Sequence, residues 1–451
     1  MNSWTSEADA ARILEQFVSP FVGVVGREYE RLNDVDDVRG FSYGCHSTDA
    51  RRLLGSQANL YNGGGSRSRQ AARLAGIGET VERYSAAYLP PAAAAAAADH
   101  MSIRASRREM LEADRLVWGP EELELFAEQQ YEDASFPFHR LTHDVSIRWR
   151  RGREVASDQE IWVPAQLLHF VDAWPDEPRI GYVTSNGLAC GIQFVEAQLS
   201  GLFEAIERDA FMLVWYNRLS LPHLDIESDP RLARLVERHI GPTGLDLHLI
   251  DLSGLSGVPT VLAVVRNLHS DVAPLALGAA SAATAERAAE KAAFEGLHTR
   301  TWMKSEQRAG NTLHSEDWNV DIRSFDDHVR LFAGPDMVPA ADFLTSNESR
   351  VPFSEIARFD DTEPMALWTS LIAHLAGQGY EVASFDLTSP DVLEGGARVA
   401  KILVRGFCQL DAPHNARMLG STRLRVHARN LGLSDRHFGL ADLNPVPHPF
   451  P

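Results

Sequence analysis

A chain of 451 residues with 44% hydrophobic and 23% charged side chains has the balance of a folded globular protein, large enough for one α/β domain or for two to three smaller ones. A formal net charge of −19 speaks against nucleic acid, whose phosphates call for basic surface. Cys45, Cys190 and Cys408 form no CxxC pair, no apolar run reaches the roughly 18 residues of a membrane span, and the first residues lack a basic-then-apolar signal, so a reducing, cytoplasmic setting is expected.

Ala8, Ala11, Ile13, Leu14 and Phe17 recur at helical spacing, and FVGVVGREYER after them reads as a short strand or turn. NGGGSRSRQ, residues 62–70, reads as a loop, and the text after it predicts a helix over 68–88 that Pro90 and Pro91 end. The alanine run 92–98 follows those prolines and reads as a low-complexity surface insert. A short polar helix in RREMLEA, strands in VSIRWRRG and EIWVPAQLLHF, and a strand from RIGYV into a glycine-bearing TSNGLACG loop come next. A long helix is predicted over 195–215, strands in LHLIDLSG and PTVLAVVRN, a helix over 284–300, and late strands in YEVASFDLT and VAKILVRG. The fold class is therefore α/β (α+β): mixed sheets packed with long helices, without regular βαβ alternation.

Glu-x-x-Glu-Arg occurs twice, as Glu79, Glu82 and Arg83 in GETVERYSA and as Glu204, Glu207 and Arg208 in FEAIERDAF. On a helix, positions i, i+3 and i+4 share a face, so each copy projects two carboxylates and one guanidinium in one direction. A solvated stripe would show the same spacing. The second copy, however, lies among Leu199, Leu202, Phe203, Ile206, Phe211, Leu213 and Trp215, on a helix that is apolar around most of its circumference. Carboxylates buried there need cations: magnesium takes oxygen ligands together with waters and substrate phosphates, and neighbouring arginines hold phosphate by forked hydrogen bonds.

A third helix offers Glu286, Glu290 and Glu295 in AERAAEKAAFEGLHTR. The first two are expected at the surface, paired with Arg287 and Lys291, which leaves Glu295, with His298 and Arg300 one turn beyond. No Walker glycine loop, GxGxxG, HExxH or GxSxG is present, so a nucleotide here is held by a less common arrangement.

Taken in order, GGG, GExxERYSA, TSNGLACG, ExxERDA, ExLHTR and a final PHPFP make the chain resemble the YcaO superfamily from about residue 62 onward, giving an N-terminal segment 1–61 and a YcaO cyclodehydratase domain 62–451. The stretches ASRREMLEADRLVWGPEELELF, FPFHRLT and IWVPAQLLHF further resemble the azoline-forming cyclodehydratases of ribosomal peptide natural products. The resemblance implies ATP and Mg2+ held by carboxylates on packed helices without a P-loop. It places Glu79, Glu82, Glu204 and Glu207 on magnesium and turns Arg83 and Arg208 toward phosphates. Ser185, Asn186, Glu295, His298 and Arg300 would line the nucleotide pocket. Gly64, Ala75 and His298 stand where the family often has lysine, serine and glutamine. Histidine can replace the glutamine's hydrogen bond, but an ordinary imidazole changes charge near neutral pH, which predicts pH-sensitive ATP affinity.

The chain closes on NPVPHPFP, and alternating prolines hold a polyproline II rod able to deliver a terminal group to a fixed place. The resemblance implies such a tail reaching the active site, with Pro451 as the catalytic residue that helps move a proton. The activity it implies is ATP-dependent cyclodehydration of Cys, Ser or Thr in a ribosomally made precursor peptide, giving thiazolines or oxazolines. The alternatives are a YcaO thioamide-forming enzyme and a non-catalytic scaffold that binds peptide or partner. The implied partners are the precursor peptide, a separate E1-like leader-binding protein (residues 1–61 being too few for a winged-helix domain), a flavin-dependent oxidase where azolines are oxidised further, and a second copy in a homodimer.

Overall fold

Three long helices carry the charged motifs, and each is set against a different sheet. The computed structural model describes residues 3–34, 36–38, 40–51, 60–89, 101–171, 174, 176–436 and 438–450; the alanine run 92–98 and Pro451 lie outside them. After a short helix α1 (Glu7–Leu14), strands β1 (Val25–Arg31), β2 (Phe41–Ser47) and β3 (Tyr61–Ser66) form an antiparallel sheet in that order. The division expected at 61/62 falls inside β3, after its first residue. Helix α2 (Arg69–Ala87) starts where Ser68 accepts the Ala71 N–H, and it packs on β3 and β2.

The largest sheet gathers β4 (Ser102–Ser106), β5 (Leu116–Val117), β6 (Ser146–Glu154), β7 (Gln159–Pro164) and β8 (Leu188–Gly191) with two late strands, β14 (Val382–Asp386) and β15 (Arg398–Val404). Its order is β5-β7-β6-β14-β15-β8, with β4 also on β6. Helix α3 (Phe194–Asn217) packs on β15 and β8. Glu196 Oε2 accepts the Gln193 N–H at 3.0 Å at its start, Arg218 leaves it at a φ of 49°, and every residue from Asp209 to Asn217 is buried, as the all-round apolar pattern predicts.

The third sheet has β12 (Leu275–Ser281), β11 (Thr260–Arg266), β10 (Asp246–Asp251), β9 (His223–Asp225) and β13 (Arg350–Pro352) side by side in that order. β11 is apolar on both faces and buried, because α4 (Ala285–Arg308) covers it and β12. No helix among the described residues is long and apolar enough to cross a membrane.

Two sequence expectations change here. The glycine stretch is not a loop but strand β3, wedged between α2 and α4. Its alternation explains the composition: a side chain at Gly64 would meet the Ala72 carbonyl oxygen at 2.4 Å and the Ala75 methyl at 2.7 Å, whereas side chains at Gly63 and Gly65 would press on His298. The strand expected before TSNGLACG instead follows its turn, as β8, where Leu188–Gly191 pairs with β15.

Candidate active site

The spacing on α2 and α3 does what helix geometry demands. Glu79, Arg83, Glu204, Glu207 and Arg208 all reach a single cavity of about 1700 Å³, joined from α4 by Glu295 and His298. Glu82 stands one step behind, in a smaller recess that Glu79 and Glu204 also touch. Arg83 lies 2.9 Å from Glu82 and 3.4 Å from Glu79, and Arg208 lies 3.4 Å from Glu207, 3.7 Å from Glu204 and 4.0 Å from Glu295. Arg83 thus pairs with the two glutamates of its own helix, whereas Arg208 also meets Glu295 of α4.

These groups are electrostatically unfinished. Burial, reinforced by neighbouring carboxylates, pushes the Glu82, Glu204 and Glu207 carboxyls above the usual range, and the arginines beside them only partly oppose it. Glu295 is pushed up to about 7 for the same reason, although its side chain is 35% open to the cavity. Glu207 Oε1 is buried without a hydrogen bond, as are Nε and Nη1 of Arg83 and of Arg208, whose ion-pair contacts are close but not aligned. Clustered hard oxygens short of positive charge suit Mg2+, and buried guanidinium N–H groups without acceptors suit phosphate. The residues present therefore fit both groups, with each glutamate now drawn to an arginine.

The remaining candidates divide. Ser185 lies in the cavity wall. Asn186 is buried and donates to Thr184 Oγ1 at 2.6 Å and to the Leu410 carbonyl at 2.9 Å, so it braces the TSNG turn and does not line the cavity. His298 Nδ1 bonds Ser42 Oγ at 2.8 Å, and burial holds its pKa down to about 4, which argues against the pH sensitivity expected from it near neutral pH. Arg300 points elsewhere: it sits 3.1 Å from Asp36 and from Asp37. Five residues on from Glu295 is about 140° around the helix, which separates the two. Asp34, Asp36 and Asp37 form the one close-set trio of possible metal ligands among the described residues, but Arg300, Lys304 and Arg308 already neutralise it.

The proline-rich run from Asn444 to Phe450 packs along α3 and meets the site at Arg208. Asn444 N–H donates to the Tyr216 carbonyl at 2.7 Å, Trp215 Nε1 donates to the Val446 carbonyl at 2.9 Å, and His448 Nε2 bonds the Asp411 carbonyl at 2.7 Å. The run climbs α3 backward toward its motif and ends with Phe450, fully buried, 4.8 Å from the Phe211 ring and under the Arg208 guanidinium at 4.4 Å. His328 on α5 (Phe325–Phe332) stacks on His448 at 4.1 Å and bonds its carbonyl. Pro451, the expected catalytic residue, lies outside the described residues, one position past Phe450.

Sequence reasoning missed two lysines. Lys401, on β15, is buried with Nζ donating to the Thr184 carbonyl at 2.6 Å, and burial brings its pKa down to about 7 against the pull of Glu204. A lysine inside the apolar run VAKILVRG was the available signal. Lys291 lines the cavity instead of pairing with Glu286 or Glu290; those two bond Arg358 at 3.0 Å and Arg231 at 2.7 Å.

Comparison with known proteins agrees with this geometry. Residues 63–408 match the family described as YcaO cyclodehydratase, ATP- and Mg2+-binding. The fold and site thus define an ATP- and Mg2+-dependent enzyme class without a P-loop, and the chain belongs to the YcaO cyclodehydratase family. An uncharacterised protein of Methanothermobacter thermautotrophicus is 30% identical over 162 residues, 34% of this chain and 41% of the relative, so the chain spans well under half of that relative. Among solved structures, a heterocyclase in complex with substrate and cofactor superposes with a TM-score of 0.80 at 22% identity over 99% of this chain and 58% of its own. YcaO from Methanopyrus kandleri bound with AMPPCP and Mg2+ gives 0.60 at 21% identity over 90% and 92%. The E. coli microcin synthetase McbBCD complex with pro-MccB17 bound gives 0.53 at 13% identity over 89% and 90%. At these identities the superpositions establish the fold.

Proposed function

We propose that the protein is an ATP-dependent peptide cyclodehydratase that converts Cys, Ser or Thr residues of a ribosomally made precursor into thiazolines or oxazolines. A Cys thiol or Ser/Thr hydroxyl gives up its proton as its sulfur or oxygen attacks the preceding amide carbonyl carbon, whose C=O π electrons move onto oxygen as the five-membered ring closes. The former carbonyl oxygen takes the γ-phosphoryl group of ATP, ADP departs, and phosphate then leaves as the amide nitrogen loses its proton and the C=N bond forms. Without phosphorylation that oxygen is a poor leaving group in water.

Glu79, Glu82, Glu204 and Glu207 would hold Mg2+, which supplies neutralisation of the transferred phosphoryl charge. Arg83 and Arg208 donate to phosphate oxygens through their buried, unpartnered N–H groups. Phe450 fixes the plane of the Arg208 guanidinium and keeps water from that face. Ser185, Glu295 and His298 shape the nucleotide's wall. Pro451, next to Phe450, is the residue we assign to proton transfer.

The observation that carries this reading is the Asn444–Phe450 run, buried from Pro447 onward and ending on Arg208. We assign the peptide's recognition element to a separate E1-like protein, a division of labour in keeping with the multi-protein McbBCD assembly, and we expect a homodimer and, where azoles are made, a flavin-dependent oxidase. The test is incubation with ATP, Mg2+ and Cys-, Ser- or Thr-containing peptides. ADP release matched by loss of one water per ring supports the reading, gain of sulfur would redirect it to thioamide formation, and no peptide-dependent ADP release would leave a scaffold.

A further inference from the structure

A second pocket, of about 440 Å³, adjoins the nucleotide cavity, and nothing in the chemistry above uses it. The two share one wall, made by Arg83, Ser185, Ser324 and Phe325. Its body is aromatic: Phe138 and Tyr182 stack at 5.6 Å, and Phe170 lies beneath Arg83 at 5.8 Å. Its charge is of one sign. Arg83, Arg179 and Arg323 are its only charged members among the described residues, and the exposed Arg179 and Arg323 form no ion pair within that set. Arg179 lies over the outer face of the Phe138 ring at 5.4 Å, at the rim.

An apolar, ring-lined chamber with a cationic mouth selects a flat apolar group carrying negative charge beside it. Its shared wall includes Arg83, which lies beside Glu79 and Glu82. We propose that this pocket is a peptide subsite, taking an aromatic side chain next to the residue being cyclised and favouring an acidic neighbour at Arg179 and Arg323. The proposal rests on the reading of the protein as a peptide cyclodehydratase. It makes substrate choice depend on the sequence flanking the reacting residue, separately from any recognition supplied by a partner.

The test measures binding, with saturating AMPPCP and Mg2+, of blocked tetrapeptides in which Phe, Gly or Lys flanks a cysteine on either side and Asp or Lys follows. Burying a phenyl ring should make the best Phe peptide bind at least roughly tenfold tighter than its Gly counterpart. Asn415→Trp, at a partly exposed position in the pocket wall, should remove that preference by filling the chamber. Arg179→Glu, on the surface, should reverse the preference for Asp over Lys and serves if the tryptophan variant fails to fold. Equal binding of Phe and Gly peptides, a preference that survives Asn415→Trp intact, or competition of the peptides with AMPPCP, which would make the pocket a nucleobase site, overturns the proposal. Product masses from the same peptides incubated with ATP and Mg2+ in place of AMPPCP separate the two readings: a retained Phe preference with gain of sulfur in place of loss of water would sink cyclodehydration and leave the subsite standing.

Discussion

At the scale of single residues, the site is held in tension by acids that lack enough positive charge. Glu207→Gln removes a buried oxygen without a hydrogen bond, so peptide-dependent ADP release should fall by at least about 100-fold. Thermal melting in EDTA should show the variant no less stable than the parent, because the lost carboxylate was disfavoured by burial. Glu295 gives the matching pH signature. Its folded pKa is raised from 4.5 to about 7, so its stabilising contribution is complete below the lower value and is lost as pH climbs through the higher. Melting temperatures of Glu295→Gln and parent should accordingly lie close near about pH 5 and separate toward about pH 8, with the variant the more stable. His298 behaves oppositely to its sequence expectation. Held down to about 4, it stays neutral, and the KM for ATP of parent and His298→Gln should run parallel between about pH 6 and pH 8; a break in the parent alone would show that the imidazole titrates there.

At the scale of elements, the C-terminal run and the three helices make different demands on the sequence. Removing Pro449 to Pro451 takes away the ring that packs on Phe211 and Arg208. We expect stability to drop by roughly 3 kcal/mol with the fold and Mg-ATP binding retained, while ring formation, followed by mass spectrometry, collapses. Undiminished product would remove the run from the chemistry. The two Glu-x-x-Glu-Arg helices were legible because their chemistry is written in helical spacing, and their observed limits differ from the predicted ones by a residue or two. Strand β3 was not legible: three successive glycines favour turns, and only the tight approach of α2 and α4 makes them a strand. β12, LALGAAS, was missed because its small residues show neither alternation nor β-branching. Arg300 was grouped with Glu295 by closeness in sequence, where helical angle was the better guide.

At the scale of the whole molecule, acids and arginines from α2, α3 and α4 converge on one chamber, so ligand binding and global stability are linked. Mg2+ with AMPPCP should raise the melting temperature more than either alone. At about a hundredfold excess over Kd the gain is about 2.7 kcal/mol, and scanning calorimetry would register it. An additive response to the two ligands would deny that carboxylates and arginines act on one bound unit. The sequence could place the motifs on helices, but it could not say which side chains would meet, since Lys401 under the carboxylates and the stacked His328 and His448 come from a strand, a helix and a loop far apart in the chain. The contact between Gly64 and Ala75 carries a consequence in the language of heredity. A lysine allele at codon 64 should be deleterious on this background whatever it offers a phosphate, and tolerating it should require compensating changes that respace strand and helix, so the two positions are expected to be epistatic.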